Sequence, residues 1–230
     1  MNEDHRKITR SLIFPSIFVI VIWLVKFVEL IFKIDLGVYG LQPLHAKGLI
    51  GIITAPLLHV SFSHLFANTI PLFILSGLLF YFYRVIAWRI FILIWVLTGL
   101  WVWFLAREDS IHIGASGIVY GLASFLFFSG IIRRDAKLMA ITLLIAFLYG
   151  GMVWGVFPQF FPRERISWES HLMGLLAGLI LAIYYRKAGP QRMIFEWEDE
   201  EEENDDHDPE DTMDNHFPND NPEINYFYKE

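Results

Sequence analysis

The chain has 230 residues, 55% of them hydrophobic, and a mean hydropathy of +0.44, which is too apolar for a soluble domain of this length and implies a polytopic membrane protein. It contains no cysteine, so disulfide scaffolds, thiolate metal sites and cysteine nucleophiles are excluded together. The net charge of -7 averages two unlike regions: residues 196–230 hold 16 of the 25 acidic residues and one basic residue, Lys229, whereas the chain before them carries 17 basic against 9 acidic residues.

Six apolar segments follow one another, each 17 to 22 residues long, close to the roughly 20 residues that carry a helix across a bilayer. They run near Leu12 to Phe32, His64 to Tyr83, Val85 to Ala106, Ser116 to Ile132, Leu138 to Phe157 and Trp168 to Tyr185. The expected fold is therefore an all-α, six-transmembrane-helix bundle over residues 12–187. A short cytoplasmic segment, 1–11, would precede it, and an acidic tail, 188–230, would follow, too poor in apolar residues to order itself. The first segment is preceded by Arg6, Lys7 and Arg10, is too long for a signal peptide, and shows no small-residue cleavage pattern after it, so it is expected to remain as a helix.

Lys26 and Glu29 within this first segment lie three residues apart and can pair on one helix face. The connection from Lys33 to Ser63 is long and carries apolar residues, which predicts a segment lying against the membrane surface. A second long connection, Pro158 to Ser167, is rich in phenylalanine and proline nearby and reads as a mobile aromatic flap. Eleven Lys and Arg residues fall on one side of the predicted topology and five on the other, so the positive-inside rule puts both termini in the cytoplasm. The starts of segments two, four and six then share the outer side.

Those three starts carry the polar groups. Ser116, in Gly114-Ala-Ser-Gly117-Ile-Val-Tyr120-Gly121, opens the fourth segment, where a backbone N–H at a helix start has no partner within the helix and can donate elsewhere. His171 opens the sixth, followed at i+3 and i+7 by Gly174 and Gly178, while Gly117 and Gly121 lie one turn apart beside Ser116. Small residues at that spacing let helices approach closely, so the fourth and sixth segments could bring Ser116 and His171 together as nucleophile and base. His64 and Asn68 lie four residues apart on the second segment and could direct two donors at one point, as an oxyanion hole requires. Each has a plainer role open to it. Intramembrane serines bond back to carbonyls, glycines pack helices, and histidines and asparagines join them. His59 falls off the His64 face and is expected to pack or bond in the loop.

Taken together, the stretches His59-Val-Ser-Phe-Ser-His64-Leu-Phe-Ala-Asn68, Gly114 to Gly121 and His171-Leu-Met-Gly174-Leu-Leu-Ala-Gly178 resemble the signature stretches of rhomboid intramembrane serine proteases, in order and on segments two, four and six. The resemblance covers about residues 36–186 and includes Tyr39-Gly-Leu-Gln-Pro43. It implies a catalytic pair of Ser116 and His171 with no aspartate, an oxyanion site of His64, Asn68 and the Ser116 N–H, and Tyr120 stacked on His171. It also implies entry of a substrate helix past the fifth segment and the flap. The Trp-Arg pair that many members carry in the first loop is missing, and His112 matches no family role.

The expected activity is thus hydrolysis of a peptide bond in or near a transmembrane helix of a membrane protein substrate, in a bacterial plasma membrane, with no metal, organic cofactor or nucleic acid. The tail's partner stays open. Zinc and aspartyl intramembrane proteases are disfavoured by the lack of H-E-x-x-H and of paired intramembrane aspartates. The alternatives are a non-catalytic relative that binds membrane helices, and a transporter or channel, for which polar groups should run through the whole membrane thickness.

Overall fold

A computed structural model describes residues 3–148 and 167–188. The chain divides into two units, Met1–Arg192 and Met193–Glu230, and every described residue belongs to the first. Among the described residues the architecture is helical, with a single isolated antiparallel bridge between Leu41 and His112.

Helix α1, Glu3–Phe32, begins well before the predicted apolar start at Leu12. The polar stretch His5 to Arg10 contains no breaker, and the hydroxyls of Thr9 and Ser11 bond back to the carbonyls of His5 and Ile8. Ser11, Pro15, Phe18 and Ile22 are its buried residues, a stripe at helical spacing that faces α2, Phe62–Phe82, and α3, Ala87–Leu105. Phe14 and Phe18 pack against Phe80, Trp88, Phe91 and Trp95 with ring centroids 4.3–5.5 Å apart.

At the far end of α1, the Lys26 ammonium pairs with Glu29 at 3.0 Å and also donates to the carbonyls of His59 and Val60. Glu29 in turn accepts from the Leu36 N–H. The pair is therefore a staple: it ties α1 to both ends of the long first connection, and its two charges offset one another with both side chains largely covered by protein.

That connection is folded. It makes 3-10 turns at Leu36–Tyr39, Ala46–Ile50 and Ala55–Leu57 and one helical turn at Gly51–Thr54. Gly48 and Gly51 let it close on itself, because a Cβ on either would fall 2.0 Å from the Gln42 carbonyl oxygen or 2.1 Å from the Leu41 Cα. Two tryptophans of α3 hold it from the other side: Trp95 donates to the Ile52 carbonyl at 2.8 Å and Trp103 to that of His45 at 3.0 Å.

Helices α4, Ser116–Ile132, α5, Ala136–Leu148, and α6, Trp168–Tyr184, complete the described part. The remainder of the predicted fifth segment, to Phe157, and the predicted aromatic flap through residue 166 lie outside the described residues. Among the described residues three helices are long and apolar enough to cross a membrane, His5–Phe32, Phe62–Phe82 and Ala87–Leu105. The 17 residues of α4 and of α6 extend only about 25 Å at 1.5 Å per residue, short of a bilayer core of about 30 Å. α4 has 11 residues buried by protein.

Candidate active site

The centre of the site is the seam between α4 and α6, the most extensive contact between any two described elements. Its closeness is a matter of missing side chains. A Cβ on Gly174 would stand 2.1 Å from the Gly117 carbonyl oxygen, and one on Gly178 would stand 2.1 Å from that of Gly121. Ser124 adds a hydrogen bond to the Leu175 carbonyl at 2.7 Å. Backbone meets backbone here.

The strand-like approach to α4 is pinned three times. Leu41 and His112 exchange both backbone hydrogen bonds, at 2.9 and 2.8 Å, and the Gly114 N–H donates to the Ala55 carbonyl at 2.8 Å. Gly114 then turns the chain with φ +117°, a conformation that side chains disfavour. A Cβ there would also strike the His64 ring, 2.6 Å from Cε1.

This turn delivers Ser116 as the first residue of α4, its N–H outside the helical ladder. Its Oγ lies 2.9 Å from His171 Nε2. The His171 ring, 8% exposed, is stacked on Tyr120 with centroids 4.2 Å apart and planes 10° apart. A neutral imidazole protonated at Nδ1 would accept the serine proton at Nε2, so the arrangement can activate a hydroxyl.

On α2, Ser61 caps the helix by accepting from the His64 N–H at 3.1 Å. The His64 ring lies against Gly114, two residues before Ser116. Asn68 is buried, and its Nδ2 donates to the His64 carbonyl at 3.1 Å, which leaves that amide's second N–H for another acceptor. His59 is buried edge-on to His64, with centroids 5.2 Å apart, and neither of its ring nitrogens has a partner in hydrogen-bonding geometry among the described residues. Burial, reinforced by His64 beside it, pushes the His59 pKa down to about 3.

With this geometry in view, the sequence comparisons are direct. The model of the rhomboid domain matches residues 46–188. The chain belongs to the rhomboid family. Uncharacterised proteins of Mycobacterium tuberculosis and Mycobacterium bovis are each 37% identical to it over 181 residues, covering 76% of this chain and 74% of theirs. YdcA of Bacillus subtilis, provisionally named a rhomboid protease, is 29% identical over 140 residues, covering 57% of this chain and 64% of its own. The chain is an integral membrane protein, and Ser116, His171, Tyr120, His64 and Asn68 all fall within the rhomboid domain.

The rhomboid domain also contains a polar group that sequence reasoning left without a role. His112 is 3% exposed. Its Nδ1 is 2.6 Å from Ser167 Oγ, and its Nε2 is 2.8 Å from Ser110 Oγ. Ser167 donates onward to Ser170 at 2.6 Å and Ser110 to the Arg107 carbonyl at 2.6 Å, so both ring nitrogens of His112 are engaged by hydroxyls. Burial pulls the His112 pKa down, against the opposing carboxylate of Glu169, and favours a neutral ring. Glu169, 2% exposed, accepts from Arg107 Nε at 2.5 Å, while its Oε2 has no partner among the described residues. Thr98, His112, Gly114, Gly117 and Ser170 line a small cavity beside these groups, and the buried Thr98 hydroxyl has no partner among the described residues. The one sequence signal was symmetric: a polar residue four places before Ser116 and another four places before His171.

Proposed function

We propose that this rhomboid is an intramembrane serine endopeptidase that cleaves a peptide bond in or near a transmembrane helix of membrane protein substrates. The observation that carries this reading is the 2.9 Å approach of Ser116 Oγ to His171 Nε2, at the start of a buried helix, with Tyr120 holding the imidazole plane. His171 takes the Ser116 proton as the hydroxyl attacks the scissile carbonyl, then returns it to the leaving amine. The oxyanion that develops is met by the Ser116 N–H, the His64 ring and the second N–H of Asn68. Water hydrolyses the acyl-enzyme. A substrate helix must unwind locally, since an intact helix holds the scissile carbonyl in its own hydrogen bonding.

In the same reading residues 12–187 form six spans, both termini are cytoplasmic, and residues 188–230 are an acidic cytoplasmic tail. The membrane is a bacterial plasma membrane, in keeping with the mycobacterial and Bacillus relatives. No cofactor enters the chemistry.

The test is labelling of the purified chain in detergent with a fluorophosphonate probe, which needs no substrate. Native protein should label, and Ser116→Ala and His171→Ala should not, while all three stay folded and inserted. Asn68→Ala should lose about 100-fold in cleavage rate or more, as removal of one oxyanion donor does elsewhere. A native protein that stays unlabelled beside a reactive rhomboid would turn the reading to a helix-binding protein.

A further inference from the structure

The start of α6 is gripped in an unusual way. Ser167 is its N-cap residue, but its side chain accepts no capping hydrogen bond from the backbone of its own helix, although accepting from the first-turn N–H groups is what an N-cap serine ordinarily does. Its hydroxyl is instead taken up by His112 Nδ1 on one side and Ser170 on the other. Two residues beyond the cap, Glu169 is buried and reaches back to Arg107, whose side chain is 64% exposed. Burying a carboxylate and an imidazole at one helix start is costly unless their contacts are kept. Both lead to the same short segment, Arg107 to Ile113, which is itself locked to Leu41 through the backbone of His112.

That segment runs straight into Gly114 and Ser116. The chain that delivers the serine therefore also holds the first turn of the helix that delivers the histidine, four residues before each. We infer that His112, acting through Ser167 and Ser170, and Arg107, acting through Glu169, form a clasp that sets His171 against Ser116. His112 and Glu169 are positioning residues: their side chains bond to Ser110, Ser167 and Arg107 rather than to Ser116 or His171. The inference rests on the serine-protease reading, because a spacing between these two side chains matters only if a proton passes between them.

The clasp makes a prediction that simple packing does not. In His112→Asn the side-chain amide stands where ring Nδ1 stood and keeps the bond to Ser167, as donor through Nδ2–H or as acceptor through Oδ1. His112→Gln, closer to histidine in size, carries its amide at the position of Nε2 and loses that bond.

The rate of fluorophosphonate labelling and the melting temperature are measured on the full chain in detergent for the native sequence, His112→Asn, His112→Gln, Ser167→Ala and the His112→Gln/Ser167→Ala double variant. Misplacing reacting groups by about 1 Å can cost about 100-fold. The Gln and Ala variants should label at least about tenfold more slowly, the Asn variant should stay near the native rate, and the double variant should be no slower than the slower single one. Melting temperatures should not follow that order. Asn and Gln variants that behave alike, or rates that simply track melting temperature, overturn the clasp while leaving the protease reading intact. A native protein that does not label at all ends both.

Discussion

Helices α1 and α4 are both apolar, and their roles are opposite. In the most apolar window of α1 only 22% of residues are buried by protein, along the single stripe of Ser11, Pro15, Phe18 and Ile22. Its other faces present large side chains such as Ile20 and Leu24, each 56% exposed. α4 has 11 of its 17 residues buried and touches α2, α3, α5 and α6. Lipid is as apolar as leucine, so hydrophobicity cannot choose which helix goes to the centre. Glycine spacing and a few polar contacts choose it: α4 can be approached to backbone contact, whereas α1 is attached by one stripe and one staple.

The largest test breaks the seam. Gly174→Ala or Gly178→Ala puts a methyl group 2.1 Å from a carbonyl oxygen of α4, where both sides are backbone and cannot turn away. Either should cost about 3 kcal/mol or more, read as a fall in the fraction folded during detergent titration, and should slow fluorophosphonate labelling beyond what the loss of fold explains. A native-like melt for either variant would mean that α4 and α6 do not meet as closely as this.

The stripe on α1 is tested by contrast. Ile22→Ala, at a fully buried position, should cost about 2 kcal/mol, and Leu24→Ala, facing outward, should stay within about 0.5 kcal/mol. Equal losses would show that α1 is not oriented by its stripe. Lys26→Met probes the staple. It leaves the carbonyls of His59 and Val60 without their donor, for an expected loss of about 1–2 kcal/mol, seen as a lower melting temperature and faster proteolysis in the first connection.

The remaining test is one of pH. The folded His59 pKa, about 3, lies below the ordinary value near 6.5, so the unfolded chain takes up a proton first as pH falls. The contribution of neutral His59 is complete above pH 6.5 and drains away between there and about 3, by at most about 1.4 kcal/mol per pH unit. Lys26 and His64 beside it act in the same direction. Melting temperatures recorded from pH 7 to pH 4 should therefore fall more steeply for the native chain than for His59→Leu. Parallel slopes would remove His59 as the acid-sensitive group.

Much of the site could be read before any coordinates, for a definite reason. Ser116 and Tyr120, His171 and Gly174, and His64 and Asn68 each lie three or four residues apart, and helical geometry alone puts such pairs on one face. Helix was equally readable wherever a predicted segment is described, since runs of apolar residues admit little besides helix in a membrane. The start of α1 was less so: apolarity marked Leu12, but helix formation depends on the backbone and continued through the charged residues before it. The folded first connection was also illegible, because its turns are held by Trp95, Trp103 and Lys26, residues far away in sequence.

The sequence by itself determined a chain of apolar helices, the face on which each groups its polar residues, and the glycines that make close contact possible, all of which are local properties of spacing. Only the tertiary structure decided that Gly117 and Gly121 face Gly174 and Gly178, that Arg107 and His112 reach Glu169 and Ser167, and that Ser116 Oγ comes within 2.9 Å of His171 Nε2. These contacts join residues more than fifty positions apart, and no local pattern encodes the partner. Each is chosen when the helices pack and their remaining polar groups must find one another away from water.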